Sequence, residues 1–195
     1  MIRICTIGGI GSGKSFISKL FKYPVFNADN VVKNIYRNDK NCFKNLKKKL
    51  PKFISSFPIK KSDLIKAISS NRNNLRIISS IVHPIVRKKM KFFLKENKSS
   101  KIVVMDIPLL IENKLYKKND ILVFVKTNKS KIVKRLKKRR NYNKKILNEL
   151  KHNQSSLLKK ERMANYIIDN NFSPNIMKNK IKKLKKKIID ERNSS

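Results

Sequence analysis

A glycine-rich stretch near the start of the sequence has the composition and spacing of a phosphate-binding loop. Residues 8–15 read Gly-Gly-Ile-Gly-Ser-Gly-Lys-Ser and fit the whole G-x-x-x-x-G-K-[ST] pattern of such loops. Because glycine has no Cβ, successive backbone N–H groups can curl around phosphate oxygens. In that arrangement Lys14 reaches the β- and γ-phosphates of a nucleoside triphosphate, and the Ser15 hydroxyl binds Mg²⁺. The residues expected to contact the nucleotide are Gly9, Gly11, Ser12, Gly13, Lys14, Ser15 and Phe16.

Context and glycine usage both favour this interpretation over a chance glycine-rich turn. The loop follows a predicted strand and precedes a predicted helix, which is the context that makes the motif credible. The whole chain holds four glycines, and all of them lie in this loop. The loop predicts binding of a nucleoside triphosphate, but it does not distinguish a kinase from a GTPase or an ATPase.

Acidic residues are scarce, with 12 in the chain, so those at the ends of predicted strands stand out. Asp29 follows the second predicted strand, and in an open parallel sheet ligands bind beyond the carboxyl ends of the strands. A carboxylate there can accept the proton of an attacking hydroxyl or orient it. The equally good alternative is an N-cap for a helix that begins near Val31. Asp106 ends the apolar run 102–105, a Walker-B-like pattern that is typical of a Mg²⁺ ligand.

A histidine and several arginines are further candidates, each with a plain structural alternative. His83 lies beside Pro84 in a helical region with Arg87 one turn further on, and taken alone it reads as a hydrogen-bonded packing residue. Three arginines lie in a predicted basic helix or directly after it, namely Arg135, Arg139 and Arg140. Such residues could close over the phosphates and stabilise the charge of the transition state. Their alternative is a solvated helix face.

These candidates are distributed over strands that alternate with helices. The predicted strands, all apolar runs, are Ile2 to Ile7, Val25 and Phe26, Ile102 to Met105, Ile121 to Val125 and Tyr166 to Ile168. Apolar residues at helical spacing predict helices over 14–22, 30–37, 129–139 and 144–158, at the C-terminus, and through most of 41–98. This alternation predicts the α/β class, with a parallel sheet of the P-loop NTPase type flanked by helices.

Five ordered elements make the sequence resemble the dephospho-CoA kinase family. They read like that family's G-G-I-G-S-G-K-S, D-A-D, L-x-H-P-x-[IV]-R, D-x-P-L-L-x-E and R…Q…A-D-x-V-I-D-N patterns. In the family's own order they are residues 8–15, 27–29, 81–87 and 106–112, then Arg139, Gln154 and residues 164–170. The resemblance covers residues 4 to about 171, and five elements in order are highly specific.

The resemblance implies transfer of the γ-phosphoryl group of ATP to the 3′-hydroxyl of the ribose of dephospho-CoA, with Mg²⁺, as the last step of CoA synthesis. It implies that Asp29 is the catalytic carboxylate and that Lys14 and Arg139 balance the phosphoryl charge. The implied substrate contacts are Asp29, His83, Pro84, Arg87, Asp106, Pro108 and Leu109, and the implied Mg²⁺ ligands are Ser15 and Asp106.

The resemblance also implies an architecture, a single P-loop kinase domain with a helical substrate-binding insertion and a two-helix lid. The core is expected at about 1–40, 99–138 and 165–195, the acceptor-binding part at about 41–98 and the lid at about 139–164. The chain departs from the family's usual residue, given in parentheses, at Phe16 (Thr), Asn27 (Asp), Leu150 (Arg), Asn165 (Asp) and Phe172 (Gly). We expect the last two near the adenine side of the nucleotide, and all five to affect substrate affinity more than the reaction.

The formal net charge of +38 raises the alternative of a basic nucleic-acid-binding P-loop protein. The excess is nearly all lysine, spread over every segment, and it accompanies heavy use of Asn and Ile. An AT-rich genome imposes such a bias on any protein it encodes. Aromatic residues are not interleaved with the basic runs and no nucleic-acid-binding motif is present, so we expect no specific nucleic-acid partner. The nearer rival is a kinase for a nucleoside monophosphate or shikimate, against which the H-P-x-x-R and D-x-P-L-L-x-E elements argue.

Other features of the sequence favour a cytoplasmic enzyme. No apolar run approaches the length that spans a membrane, and the N-terminus lacks the pattern of a signal peptide. Cys5 and Cys42 are too few for a disulfide framework, so both are expected to be free thiols, with Cys5 in the core. The sequence leaves the oligomeric state open.

Overall fold

The computed structural model describes residues 1–137 and 154–194 of the chain, which fall into two units. The first unit spans Met1–Asn27 and Asn97–Ser195, and the second spans Ala28–Glu96. The helices described are, in chain order, α1 (Lys14–Leu20), α2 (Ala28–Asn38), α3 (Lys40–Lys49), α4 (Lys61–Ser70), α5 (Arg72–Glu96), α6 (Lys129–Lys137), α7 (Leu157–Met163) and α8 (Pro174–Asn193). The helical unit therefore begins with α2, earlier than the position near 41 expected from the sequence.

A parallel sheet organises the first unit. Within the described residues its five strands are β1 (Ile2–Ile7), β2 (Val25–Asn27), β3 (Ile102–Asp106), β4 (Ile121–Lys126) and β5 (Tyr166–Asp169). Their spatial order is β2-β3-β1-β4-β5, and every neighbouring pair is parallel. The predicted strands and the α/β class are thus confirmed. Since the strands are parallel, all their carboxyl ends meet at one edge of the sheet, where β1 ends between β3 and β4.

The core of this unit explains why the strands are apolar throughout. Helices α1 and α8 pack on the sheet, contributing Ile17 and Phe21 from α1 and Met177 and Ile181 from α8 to one buried cluster with the strand residues. The β3 residues in this cluster, Ile102 and Val104, lie on one face of the sheet. Val103 and Met105, on the opposite face, are buried as well, so β3 has no solvated face. The predicted apolar stripe of the C-terminal helix is confirmed.

The second unit consists of α2 to α5 around a core of its own. Its buried side chains include Ile35, Leu46, Leu64, Ile78 and Val82, one or more from each helix. Helix α5 runs for 25 residues and continues through Pro84.

Two predicted helix boundaries were wrong. Residues 154–156, predicted as the end of a helix over 144–158, are not helical, and α7 begins at Leu157. The Ser156 hydroxyl accepts a hydrogen bond from the Lys159 N–H and so caps the start of α7. The rest of the predicted helix, most of the predicted lid, and Leu150 lie outside the described residues. Helix α2 begins at Ala28 rather than near Val31.

Among residues 1–137 and 154–194, three residues that are not glycine occupy the left-handed region of backbone conformation. They are Lys22, Lys114 and Phe172, with φ of 57°, 49° and 65°. Such a conformation costs an L-residue about 1–2 kcal/mol, because Cβ crowds the following carbonyl.

Both cysteines are free and buried, which confirms the expectation for them. None of the helices in the described part of the chain is long and apolar enough to cross a membrane.

Candidate active site

The phosphate loop joins β1 to α1 at the carboxyl edge of the sheet. Three of its glycines, Gly8, Gly11 and Gly13, have φ of 145°, 81° and 92°. Close approach adds to the conformational requirement, since a methyl group on Gly8 would lie 2.8 Å from the Val125 carbonyl oxygen. One on Gly13 would lie 2.4 Å from Asn170 Nδ2. Residues with a Cβ therefore do not fit this loop at these positions.

The loop is held in shape by the ends of two neighbouring strands. The Ser12 carbonyl oxygen accepts hydrogen bonds from Thr127 Oγ1 at 2.9 Å and from Asn170 Nδ2 at 2.8 Å. Thr127 follows β4 and the buried Asn170 follows β5. Our sequence reasoning missed both residues, although polar side chains at the carboxyl ends of parallel strands are where ligand-binding loops are supported.

Lys14 lies over the loop that precedes it. Its ammonium donates to the Gly8 carbonyl oxygen at 3.2 Å and to the Gly9 carbonyl oxygen at 2.9 Å. The positive charge therefore lies where phosphate oxygens cradled by the loop would gather.

The two predicted Mg²⁺ ligands lie on either side of one amide. Asn27 Nδ2 is 2.5 Å from Asp106 Oδ2 and 3.5 Å from Ser15 Oγ. The register explains this contact, since Asn27 and Asp106 are paired at the ends of β2 and β3. The sequence identified Asn27 only as a departure from the family's residue, and the structure makes it the link between Ser15 and the buried Asp106.

The oxygen ligands available here fit Mg²⁺. A carboxylate and a hydroxyl are hard donors, and Mg²⁺ commonly takes one or two protein ligands and completes its shell with phosphate oxygens and water. Among residues 1–137 and 154–194 there is no group of three or more His, Cys, Asp or Glu side chains that could hold a metal alone. Ser15 and Asp106 would therefore need a phosphate-bearing partner to complete the shell.

A cation and an aromatic ring stack beside the loop. The Arg135 guanidinium carbon lies 4.0 Å from the centroid of the Phe172 ring. Phe172 N–H donates to Asn170 Oδ1 at 2.9 Å, which ties the ring to the residue that supports the loop. The left-handed backbone of Phe172 is consistent with the glycine usual there in the family.

Asn165 was placed wrongly by the expectation from sequence. It lies at the amino end of β5, where Asn165 Oδ1 accepts a hydrogen bond from Leu122 N–H at 2.8 Å and Asn165 N–H donates to the Leu122 carbonyl oxygen at 2.9 Å. That is the edge of the sheet opposite the phosphate loop. The departure at this position therefore concerns strand pairing.

The second unit carries a further group of predicted site residues. Asp29 lies in the first turn of α2, inside the helix, so it is not the N-cap. His83 and Arg87 lie one turn apart on α5, with Pro84 between them. Partial desolvation of the imidazole and the positive charge of Arg87 lower the pKa of His83 below its ordinary value of 6.5. His83 is therefore mainly neutral at pH 7, when its imidazole can donate one hydrogen bond and accept another.

The remaining predicted residues lie at the periphery or outside the described part. Pro108 and Leu109 open the turn 108–114 that follows β3. Phe16 packs against the apolar core of the first unit. Arg139 and Arg140 lie outside the described residues.

The first unit thus brings Lys14, Ser15 and Asp106 to one edge of the sheet around a loop of backbone donors. This arrangement can bind a triphosphate, balance its charge with an ammonium, and offer oxygen ligands for a divalent cation.

Comparison with known proteins is consistent with this geometry. The family model described as dephospho-CoA kinase matches residues 2–175. The dephospho-CoA kinase of Wolbachia pipientis wMel is 33% identical over 184 residues, covering 92% of this chain and 94% of that protein. Among solved structures, the crystal structure of TT1252 from Thermus thermophilus superposes with a TM-score of 0.78 at 23% identity and covers 97% of both chains. Dephospho-CoA kinase from Campylobacter jejuni gives 0.66 at 20% identity, covering 95% of this chain and 96% of that one.

Proposed function

The chain belongs to the dephospho-CoA kinase family, and from that premise we propose how its own residues carry out the transfer. The enzyme is a kinase that uses ATP to phosphorylate the 3′-hydroxyl of the ribose of dephospho-CoA. The family match over residues 2–175 separates it from kinases of other acceptors that share the fold.

On the donor side, the phosphate loop and Lys14 hold the triphosphate of ATP. Backbone N–H groups of the loop and the amino end of α1 favour the negative charge of the phosphates. Lys14 already lies over the loop carbonyls, so a short movement takes its ammonium to the γ-phosphate. Arg139, assigned from the resemblance alone, adds a second cation.

Ser15 and Asp106 are the proposed Mg²⁺ ligands. The Asn27 side chain lies between them and orients the Asp106 carboxylate. Bound there, Mg²⁺ would neutralise charge on the phosphate oxygens. This shared contact of Ser15, Asn27 and Asp106 is the observation that most directly supports the site.

On the acceptor side, Asp29 receives the proton of the 3′-hydroxyl or aligns it. The hydroxyl oxygen then forms a bond to the γ-phosphorus as the bond from that phosphorus to the bridging oxygen of ADP breaks. His83, Pro84 and Arg87 contribute to the acceptor pocket, where Arg87 supplies charge for phosphate groups of the acceptor and the neutral His83 supplies hydrogen bonds. Pro108 and Leu109, in the turn that follows β3, are further proposed substrate contacts.

We also assign the enzyme to the cytoplasm. The two thiols, both free, suit a reducing compartment.

A coupled assay of ADP release tests the function. Purified protein is incubated with ATP and Mg²⁺ together with dephospho-CoA, AMP, shikimate or RNA, and products are weighed by mass spectrometry. We expect ADP release only with dephospho-CoA, and a product with the mass of CoA. Release with another acceptor alone contradicts the assigned substrate.

The role of Asp29 is tested by Asp29→Asn, for which we expect ATP binding to persist and turnover to fall about 10²–10⁴-fold. The matched control is Asp63→Asn, because Asp63 is also an aspartate in the first turn of a helix of the same unit. Near-normal turnover of Asp29→Asn, or an equal loss in Asp63→Asn, rejects the assignment.

A further inference from the structure

Glu112 forms a buried ion pair with Lys160. Its Oε1 lies 2.8 Å from Lys160 Nζ, and the two side chains are 13% and 2% exposed. The same oxygen accepts a hydrogen bond from Ser155 N–H at 2.7 Å. Burial raises the pKa of Glu112, but the hydrogen bonds from Lys160 and from backbone N–H groups outweigh that effect and hold the pKa below its ordinary value. A pair this buried constrains its surroundings strongly, since removing one partner leaves the other as an unpaired buried charge.

The ion pair fixes the start of helix α7. Glu112 lies in the turn that follows β3, so it is attached to the strand that ends at Asp106. Ser155 precedes α7 and Lys160 lies one turn inside it, so a single carboxylate holds the helix on both sides of its first residue. Ser156 caps the same turn.

The residue fixed in this way lies beside the phosphate loop. Leu157, the first residue of α7, is so close to Gly9 that a methyl group on Gly9 would lie 3.3 Å from Leu157 Cδ2. The carbonyl oxygen of Gly9 is in turn the nearer acceptor of the Lys14 ammonium, at 2.9 Å. A continuous set of contacts therefore runs from Glu112 through α7 and Gly9 to Lys14.

We propose that Glu112 and Lys160 are positioning residues for ATP, which hold Leu157 against Gly9 and thereby set the shape of the phosphate loop around Lys14. The proposal rests on the role of this loop in the proposed function. Neither residue of the pair touches the reacting atoms. A shift of α7 would let Gly9 and the Lys14 ammonium relax from the geometry that receives the phosphates, and small misplacements of such groups weaken binding and rate together.

The test separates positioning from mere stability. The variants are Glu112→Gln, Lys160→Met and Leu157→Ala. The last leaves the ion pair in place, and because Leu157 is 45% exposed its loss opens no cavity in the core. The controls lie on the same helix: Glu161→Gln breaks the exposed pair with Lys126, and Leu158→Ala removes a leucine that is 68% exposed. The readouts are the Kd of a non-hydrolysable ATP analogue by calorimetry, the KM values for ATP and dephospho-CoA, and the folded fraction by circular dichroism.

We expect the Kd and the KM for ATP to rise about fivefold or more in Leu157→Ala and in Glu112→Gln, with KM for dephospho-CoA unchanged and both controls like the wild type. A Leu157→Ala variant that binds the analogue as tightly as Leu158→Ala overturns the proposal, even if the ion-pair variants fail to fold. So does a folded Glu112→Gln variant with unaltered Kd and only a lower melting temperature. If the wild type releases no ADP with dephospho-CoA, the proposed function fails, while the Kd comparison still decides the positioning role.

Discussion

Replacing Gly13 with alanine isolates the steric requirement of the phosphate loop. Gly13 has a φ of 92°, and a methyl group there would meet Asn170 Nδ2 at 2.4 Å and Phe172 Cε1 at 2.8 Å. Asn170 cannot simply move aside, because it is buried and its Nδ2 donates to the Ser12 carbonyl oxygen. The substitution therefore both strains the backbone and breaks a hydrogen bond that supports the loop.

The expected loss of stability follows from these two contributions. The left-handed conformation costs alanine about 1–2 kcal/mol. Displacing Asn170 leaves a buried donor or acceptor without its partner, which costs about 1–3 kcal/mol more. The sum is about 2–5 kcal/mol, and for a chain of this size it lowers the melting temperature by about 4–20 °C.

Gly9→Ala is the matched control for this prediction. Its backbone is not left-handed, and the atom nearest the added methyl, at 3.3 Å, is the terminal Cδ2 of the partly exposed Leu157. That atom can shift by a few tenths of an ångström while the backbone of α7 and its ion pair stay in place. We expect the free energy of unfolding of Gly9→Ala to stay within about 1 kcal/mol of the wild type. Thermal and urea unfolding without nucleotide measure both variants, and similar losses of stability in the two would refute the steric reasoning.

Two further predictions concern the metal site and the acceptor unit. Asn27→Leu should raise the Mg²⁺ concentration needed for half-maximal rate about 10–100-fold, since it removes the amide that donates a hydrogen bond to Asp106 and orients its carboxylate. A Mg²⁺ titration at fixed ATP measures this, and an unchanged Mg²⁺ requirement would contradict it. The pKa of His83 should be below 6.5 in an NMR titration, and Arg87→Met should raise it. Because the pKa of His83 is lower in the folded than in the unfolded protein, its contribution to stability is present above pH 6.5 and is lost as the pH falls through the folded pKa. A measured His83 pKa at or above 6.5 excludes both causes assigned to the shift.

Local patterns were sufficient for the elements and the loop. Each apolar run predicted as a strand is a strand, because strands buried between helices need no polar alternation. The phosphate loop at residues 8–15 was predicted from residue types and spacing alone, because the pattern G-x-x-x-x-G-K-[ST] between a strand and a helix is specific. The order β2-β3-β1-β4-β5 was not predicted, because strand order depends on contacts between segments far apart in the chain.

The residues that support the loop were missed for a related reason. Thr127 and Asn170 act through contacts to the Ser12 carbonyl, more than a hundred residues away in the sequence. The sequence identifies Asn27 only as a replacement for an aspartate. Its contact with Asp106 depends on the pairing of β2 with β3, which the sequence does not predict. The start of α7 could have been found, since Ser156 is a residue type that favours N-caps.

The chain uses its four glycines in the phosphate loop and places other residues at three described positions with a left-handed backbone. Glycine codons are rich in G and C, so a genome bias that favours lysine, asparagine and isoleucine would also make glycine rare, as it is in this chain. A left-handed backbone, which glycine adopts without this penalty, costs about 1–2 kcal/mol at each of Lys22, Lys114 and Phe172. The chain has kept glycine only in the phosphate loop, where a side chain would collide with its supports. Among the described residues, the chain therefore tolerates a strained backbone at three positions outside the phosphate loop, and replacing each of them with glycine is a direct route to a more stable enzyme.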